Sequence, residues 1–173
     1  MTKSVFASLT AQLQALHNAP AQTAAAGHCP LAPDAKLWLS TDPEGQAKLT
    51  CAPAAEGFTL TLEDGDSGLW ASLGFRLERA QLCTARYLGL LAAAESKDLL
   101  IYTPTLRYYL SSGGFTETAA APVVAAGGAL EQLSHIPVDP SLLARSSSCE
   151  FNLFFQTAQF QATFRQLEPL TVN

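Results

Sequence analysis

Cys149-Glu150-Phe151-Asn152-Leu153-Phe154-Phe155 is followed, after Gln156-Thr157-Ala158-Gln159, by Phe160-Gln161-Ala162-Thr163-Phe164-Arg165-Gln166-Leu167. Cys149, Phe151, Leu153 and Phe155 alternate with Glu150, Asn152, Phe154 and Gln156. Phe160, Ala162 and Phe164 alternate with Gln161, Thr163 and Arg165. Successive side chains of a strand point to opposite faces, so this period of two gives each run one apolar and one largely polar side. Two such runs joined by a short polar link predict an antiparallel hairpin, one face of which seals a core.

The same alternation recurs upstream. Phe58, Leu60 and Leu62 alternate with Thr59 and Thr61, and Leu69, Ala71, Leu73, Phe75 and Leu77 alternate with Trp70, Ser72, Gly74, Arg76 and Glu78. Between these two runs Glu63-Asp64-Gly65-Asp66-Ser67-Gly68 has the composition of a hairpin loop. Shorter strands are predicted at Leu37-Trp38-Leu39 and Lys48-Leu49-Thr50-Cys51, around the turn Asp42-Pro43-Glu44-Gly45. Others follow at Tyr87 to Ala92, at Leu99 to Leu110 with Pro104 marking an edge or bulge, and at Phe115 to Thr118 after the turn Ser111-Ser112-Gly113-Gly114. Pro122 to Ala125 reads as a short edge strand, and Leu130 to Val138 as a strand ending at Pro137. Asp139-Pro140-Ser141 caps a short turn through Ala144.

Helical spacing occurs only at Val5, Phe6, Leu9, Leu13 and Leu16, with Thr2 or Ser4 available as a cap. Such a short amphipathic helix needs a partner surface, in this chain or another. Residues 18–35 are rich in Ala, Pro and Gly without a period and read as a linker or a loop over the body. The expected organisation is therefore a helix and linker over residues 1–35 and a β-sandwich domain over 36–173.

Charged residues make up only 14% of the chain, against a typical ~25%, and with 9 Phe this favours sheet layers over long solvated helices. The net charge is −5 and the 10 Lys and Arg are scattered, which argues against nucleic acid and anionic membranes as partners. No apolar run approaches ~18 residues. Thr10, Gln12, Gln14 and His17 interrupt any signal-like core at the N-terminus, so a cytoplasmic location is expected. Cys29, Cys51, Cys83 and Cys149 form no CxxC pair and are expected to be reduced, with Cys149 a small core residue. His17, His28 and His135 lack metal-ligand spacing, and no Gly-rich phosphate loop precedes a helix, so neither metal nor cofactor is expected.

About eight to ten short strands with Gly, Pro or Asx turns and little helix predict an all-β protein, an antiparallel sandwich or barrel. The layout from Lys36 to Val172 resembles the β-jelly-roll, galactose-binding-like sandwiches used by many carbohydrate-binding modules. The resemblance rests on strand order and pattern, and it implies a sugar-binding module without assigning a site residue by residue.

Gly65-Asp66-Ser67-Gly68 looks like the nucleophile motif of trypsin-like serine proteases, and Ala25-Ala26-Gly27-His28-Cys29 faintly resembles their histidine motif. His28 and Ser67 stand too close in sequence for that two-barrel family, and Leu69-Trp70 replaces the expected Gly-Pro, so a polar loop is the better reading. Glu63, Asp64 and Asp66 have a spacing reminiscent of a calcium loop, but the later acidic ligands are missing and a solvated acidic turn is preferred. The informative feature is aromatic. Trp70 falls on the polar side of its strand with Ser72, Arg76 and Glu78, and Arg107 and Tyr109 occupy the polar register of theirs. A ring that covers the C–H face of a sugar, flanked by charged groups that bond hydroxyls, is a common way to hold carbohydrate. The competing reading makes Trp70 ordinary core. Trp38, Tyr102 and Tyr108 invite the same remark.

The reading is thus a non-catalytic module binding glycan, or a protein, through one sheet face or loop end, with Trp70, Arg76, Arg107 and Tyr109 as contacts. The alternative is a protein-interaction or homo-oligomerisation domain whose N-terminal helix docks on a partner. A hydrolase or jelly-roll metalloenzyme comes last, because no clustered His or paired-acid motif supports it.

Overall fold

The computed structural model describes residues 5–31, 36–63 and 68–173. In chain order these form α1 (Ala7–Ala15), β1 (Gln22–Ala24), β2 (Gly27–Pro30), β3 (Leu37–Thr41), β4 (Lys48–Pro53), β5 (Phe58–Glu63) and β6 (Ala71–Leu77). There follow α2 (Arg79–Leu82), β7 (Tyr87–Leu110), β8 (Phe115–Ala119), β9 (Val123–Pro137), α3 (Pro140–Arg145), β10 (Ser146–Phe155) and β11 (Phe160–Val172).

The strands form an antiparallel β-sandwich of jelly-roll type, ordered β1-β4-β5-β11-β7-β10-β6-β3-β2, with β8 and β9 on the other side of β7. Strand β7 joins the two layers. Its first half, Tyr87 to Ser96, pairs with β11 and with the second half of β9, and its second half pairs with β10 and β8. The register shifts between Ser96 and Leu99, where β7 bends, and β9 follows it through Gly127 and Gly128 at φ +87° and +85°. Only glycine adopts that backbone readily, so the pair lets an edge strand turn the corner.

The apolar registers face each other across this fold. Cys149, Phe151, Leu153 and Phe155 of β10 and Ala162 and Phe164 of β11 are all buried. Tyr102 on β7 lies 6.3 Å from Phe164 and 6.5 Å from Phe155, ring to ring, tying one layer to the other. Fully burying such side chains stabilises the fold by about 1.5–3 kcal/mol each.

The alternation located the strands but mispaired them. β10 and β11 do not pair with each other: β10 lies between β6 and β7, and β11 between β5 and β7. The link at 156–159 therefore crosses between layers, with Phe155 and Phe160 stacked at 4.8 Å where it turns. β5 and β6 likewise do not pair with each other but belong to different layers; residues 64–67, expected as a hairpin loop between them, lie outside the described residues. Period-two patterning reports which side of a strand is buried; it carries no information about the neighbour.

Other expectations also change. Residues 18–35 include two short strands, β1 on β4 and β2 on β3, at the outer edges of the two layers. Helix α1 buries Phe6, Leu9, Leu13 and Leu16 within the core of this same chain, so the face that a partner would need is covered internally, whereas Val5 is 50% exposed. The helix starts at Ala7 without a side-chain cap, and Thr2 and Ser4 lie outside the described residues. Pro104 is neither at an edge nor at a bulge. It pairs with Leu153, and on its other side β7 passes there from its pairing with β9 to that with β8. The missing N–H falls where no ladder bond is required. Asp139 caps α3 by accepting from the N–H groups of Ser141 and Leu142 at 2.7 and 3.1 Å.

Tyr102 is fully buried, its hydroxyl has no hydrogen-bond partner, and burial pushes its pKa up to about 12. A buried hydroxyl without a partner costs about 1–3 kcal/mol. Tyr102→Phe is therefore expected to raise the unfolding free energy by about 1 kcal/mol in a denaturant titration; a loss of stability would show that the hydroxyl is satisfied in solution.

Candidate functional site

The outward side of the layer β2-β3-β6-β10-β7-β8 is concave. Register places Gly74 between Trp38 and Asn152, and Asn152 beside Thr105. The next row runs from His28 through Ser40 and Ser72 to Phe154 and Thr103. A third holds Arg76, Glu150, Arg107 and Glu117. These positions all face away from the core, yet Trp38, Ser72, Thr105 and Asn152 are only 2–5% exposed. A flat sheet would leave them open; here Trp38, Ser72 and Asn152 form the floor of a groove of about 410 Å³ lined also by His28, Ser40, Trp70, Arg107, Tyr109, Phe115, Glu150 and Phe154.

Gly74 makes the floor possible. A Cβ there would overlap both the Trp38 indole nitrogen and the Asn152 side-chain oxygen, so the absence of a side chain lets the indole lie across the strand. The His28 ring packs 5.2 Å from that of Trp38. Trp70 forms part of the wall, half-buried, with its Nε1–H donating to Ser40 Oγ at 3.2 Å.

The segment carrying Trp70 is held by Asp42. Its Oδ2 accepts from the N–H of Leu69 at 2.8 Å and its Oδ1 from the N–H of Glu44 at 3.0 Å. The Asp42 N–H donates in turn to the Trp70 carbonyl at 3.0 Å. Asp42 itself is 6% exposed. An Asx turn at the end of β3 thereby fixes an aromatic ring delivered by the crossover from the other layer.

At the opposite end Arg107 is immobilised. Its Nε and Nη2 reach Glu117 Oε1 at 2.7 and 2.6 Å, and its guanidinium lies 4.2 Å over Phe115 and 5.7 Å from Phe154. Burial alone would lower its pKa, but the hydrogen bonds to Tyr109 and Glu117 and the Glu117 charge outweigh burial and raise it. The Tyr109 hydroxyl donates to Glu150 Oε2 at 2.9 Å; burial first, and the Glu150 contact as well, lift its pKa above the ordinary tyrosine value. Arg76 Nη2 approaches Glu150 Oε1 at 3.7 Å from outside the groove lining. Within the groove one group is left over: the Asn152 amide nitrogen is buried without a partner.

Of the positions named from sequence, Trp70, Arg107 and Tyr109 converge on this groove, and Arg76 stands exposed at its margin. Trp38 joins the floor, whereas Tyr102 and Tyr108 point into the core. His28 was weighed only as a protease-like or metal-binding histidine, and Ser40, Phe115, Glu150, Asn152 and Phe154 were not named as contacts, although the outward registers of the last three are plain from the alternation at Cys149 to Phe155. Glu63 ends β5, and Asp64, Asp66 and Ser67 lie outside the described residues. Among the described residues no three His, Cys, Asp or Glu side chains gather as a metal site, and no helix is long and apolar enough to cross a membrane.

No protein-family profile matches this chain, and no curated protein sequence does. Solved structures do. The xylan-binding domain CBM22-1 of Paenibacillus barcinonensis Xyn10C superposes with a TM-score of 0.54 at 10% identity, over 88% of this chain and 92% of that one. A second xylan-binding domain, from CBM 22, gives 0.54 at 10% identity over 83% of this chain and 92% of its own. The C-terminal family 22 carbohydrate-binding module of Clostridium thermocellum Xyn10B gives 0.52 at 10% identity, over 77% and 85%. Across that sequence distance, this chain shares the jelly-roll sandwich of carbohydrate-binding modules.

Proposed function

We propose that the protein is a non-catalytic carbohydrate-binding module and that the groove of Trp38, Trp70, Asn152 and Tyr109 receives the glycan. The observation that carries this reading is the groove floor: the Trp38 indole, with its Nε1 edge over Gly74, beside a buried amide nitrogen, Asn152 Nδ2, without a partner. An aromatic face suits the C–H surface of a pyranose ring, and an unmet donor beside it suits a sugar oxygen. The wall groups Arg107, Glu117, Tyr109 and Glu150 bond one another, which holds the groove in shape before any ligand arrives. The shared fold with xylan-binding domains makes soluble xylan the first ligand to try, beside mannan, galactan and β-glucan.

Calorimetric titration of the intact chain against these polysaccharides tests the reading. Binding to at least one of them is expected, with Trp70→Ala weakening it about tenfold or more, the scale of losing one aromatic platform. Full affinity in Trp70→Ala would take the wall out of the site, and no binding to any of the four would count against the whole reading.

A further inference from the structure

Three of the sandwich's edges are short: β1 has 3 residues, β2 has 4 and ends in Pro30, and β8 has 5. The second half of β9 is different. From Gly128 to Pro137 it pairs with β7 in unbroken register, and no strand among the described residues occupies its other side. This half carries no Lys or Arg and no bulge; of the devices by which natural edges avoid adding another strand it has only Glu131 and the terminal Pro137, and Ala120 to Val124 border a shallow pocket beside Gln132 to His135. Its outward side chains are Ala129, Glu131, Leu133, His135 and Pro137, opposite Glu95, Ala93, Leu91, Gly89 and Tyr87. Leu133 is 41% exposed and Tyr87 38%, and over Gly89 the side chains of Leu133 and Leu170 close into one apolar surface.

The order of these residues selects the occupant. If two copies of β9 run antiparallel about a two-fold axis through Leu133, the two Leu133 side chains meet, and Glu131 of each copy faces His135 of the other. An axis through Glu131 would set two carboxylates together, and one through His135 would set the two imidazoles together and move Leu133 opposite Pro137. An imidazole N–H facing a carboxylate can donate a hydrogen bond to it, whereas two like charges face to face oppose association. We infer that the chain forms a symmetric dimer by pairing β9 edge to edge in the Leu133-centred register, extending the β5-β11-β7-β9 layer across both copies. The pairing leaves the groove, on the other layer, open in each copy, and it holds whether or not that groove binds glycan.

Sedimentation velocity on the full chain is the test. The native protein is expected to pass from monomer to twice the monomer mass between roughly 1 and 100 µM. His135→Glu, which sets two carboxylates face to face at both ends of the pair, is expected to weaken dimerisation about tenfold or more, and Glu131→Lys to weaken it less. The double variant Glu131→Lys/His135→Glu places a lysine opposite each introduced carboxylate and is expected to restore the dimer. Both positions are exposed, so melting temperatures should stay at the native value. A native chain that stays monomeric to roughly 500 µM overturns the inference. So does a dimer that His135→Glu leaves intact, or one that the double variant fails to recover.

Discussion

Replacing Gly74 with alanine is expected to abolish binding of any polysaccharide the native chain takes up. The new methyl group would occupy the space of the Trp38 indole nitrogen and the Asn152 side-chain oxygen. Neither neighbour has room to yield into the sheet, since Trp38 and Asn152 are 5% and 3% exposed. The indole must therefore swing outward, filling the groove it now floors. Overpacking of this kind costs about 1–3 kcal/mol, so the variant should fold but melt lower. The two readouts separate the causes: calorimetry reports the closed groove and denaturant titration the strain. A Gly74→Ala protein that binds within threefold of the native chain would mean that the ligand does not approach Trp38.

Asp42→Ala should have the largest effect on stability among the groove's supporting residues. The substitution leaves the N–H groups of Glu44 and Leu69 without their carboxylate acceptor. Hydrogen bonds to a charged group contribute about 1.5–3 kcal/mol each, so a loss of about 3 kcal/mol is expected even if water replaces one of them. For a domain of this size that corresponds to a fall in Tm of about 6–12 °C. With Leu69 released, Trp70 loses its fixed position, and its fluorescence should shift to the red below the melting transition. Asp42→Asn keeps the shape and one carbonyl acceptor and should retain about half the loss. Native emission from Asp42→Ala would show that Ser40 alone suffices to hold the indole.

How much of this was legible beforehand follows from what a strand pattern encodes. The alternation at Phe58 to Leu62, Ala71 to Leu77, Cys149 to Phe155 and Phe160 to Phe164 is a record of burial, and the structure buries those apolar positions. Leu69, read as the start of one such run, stands outside its strand and is 88% exposed. The same alternation put Trp70, Arg107 and Tyr109 on outward registers, which is why they could be named together. It could not show that Glu150 and Asn152 lie between them, because that depends on β10, distant in the chain, inserting between β6 and β7. Gly74 left no trace beyond being a glycine, since its role depends on an indole from β3. One local signal was available and unused: Glu78 and Gln81 form a capping box, three residues apart, and open α2.

Strand β11, last of the strands in chain order, occupies the middle of its layer between β5 and β7. Thr59 and Thr163, whose hydroxyls meet across that junction, are 104 residues apart. Joining ends so distant costs the disordered polypeptide about 4 kcal/mol of loop entropy before any contact repays it. On the ribosome, Phe58, Leu60 and Leu62 must wait for Phe160 to Val172 to emerge, with the aliphatic face of β7 uncovered meanwhile. The layer around β11 therefore cannot close until that strand has been made.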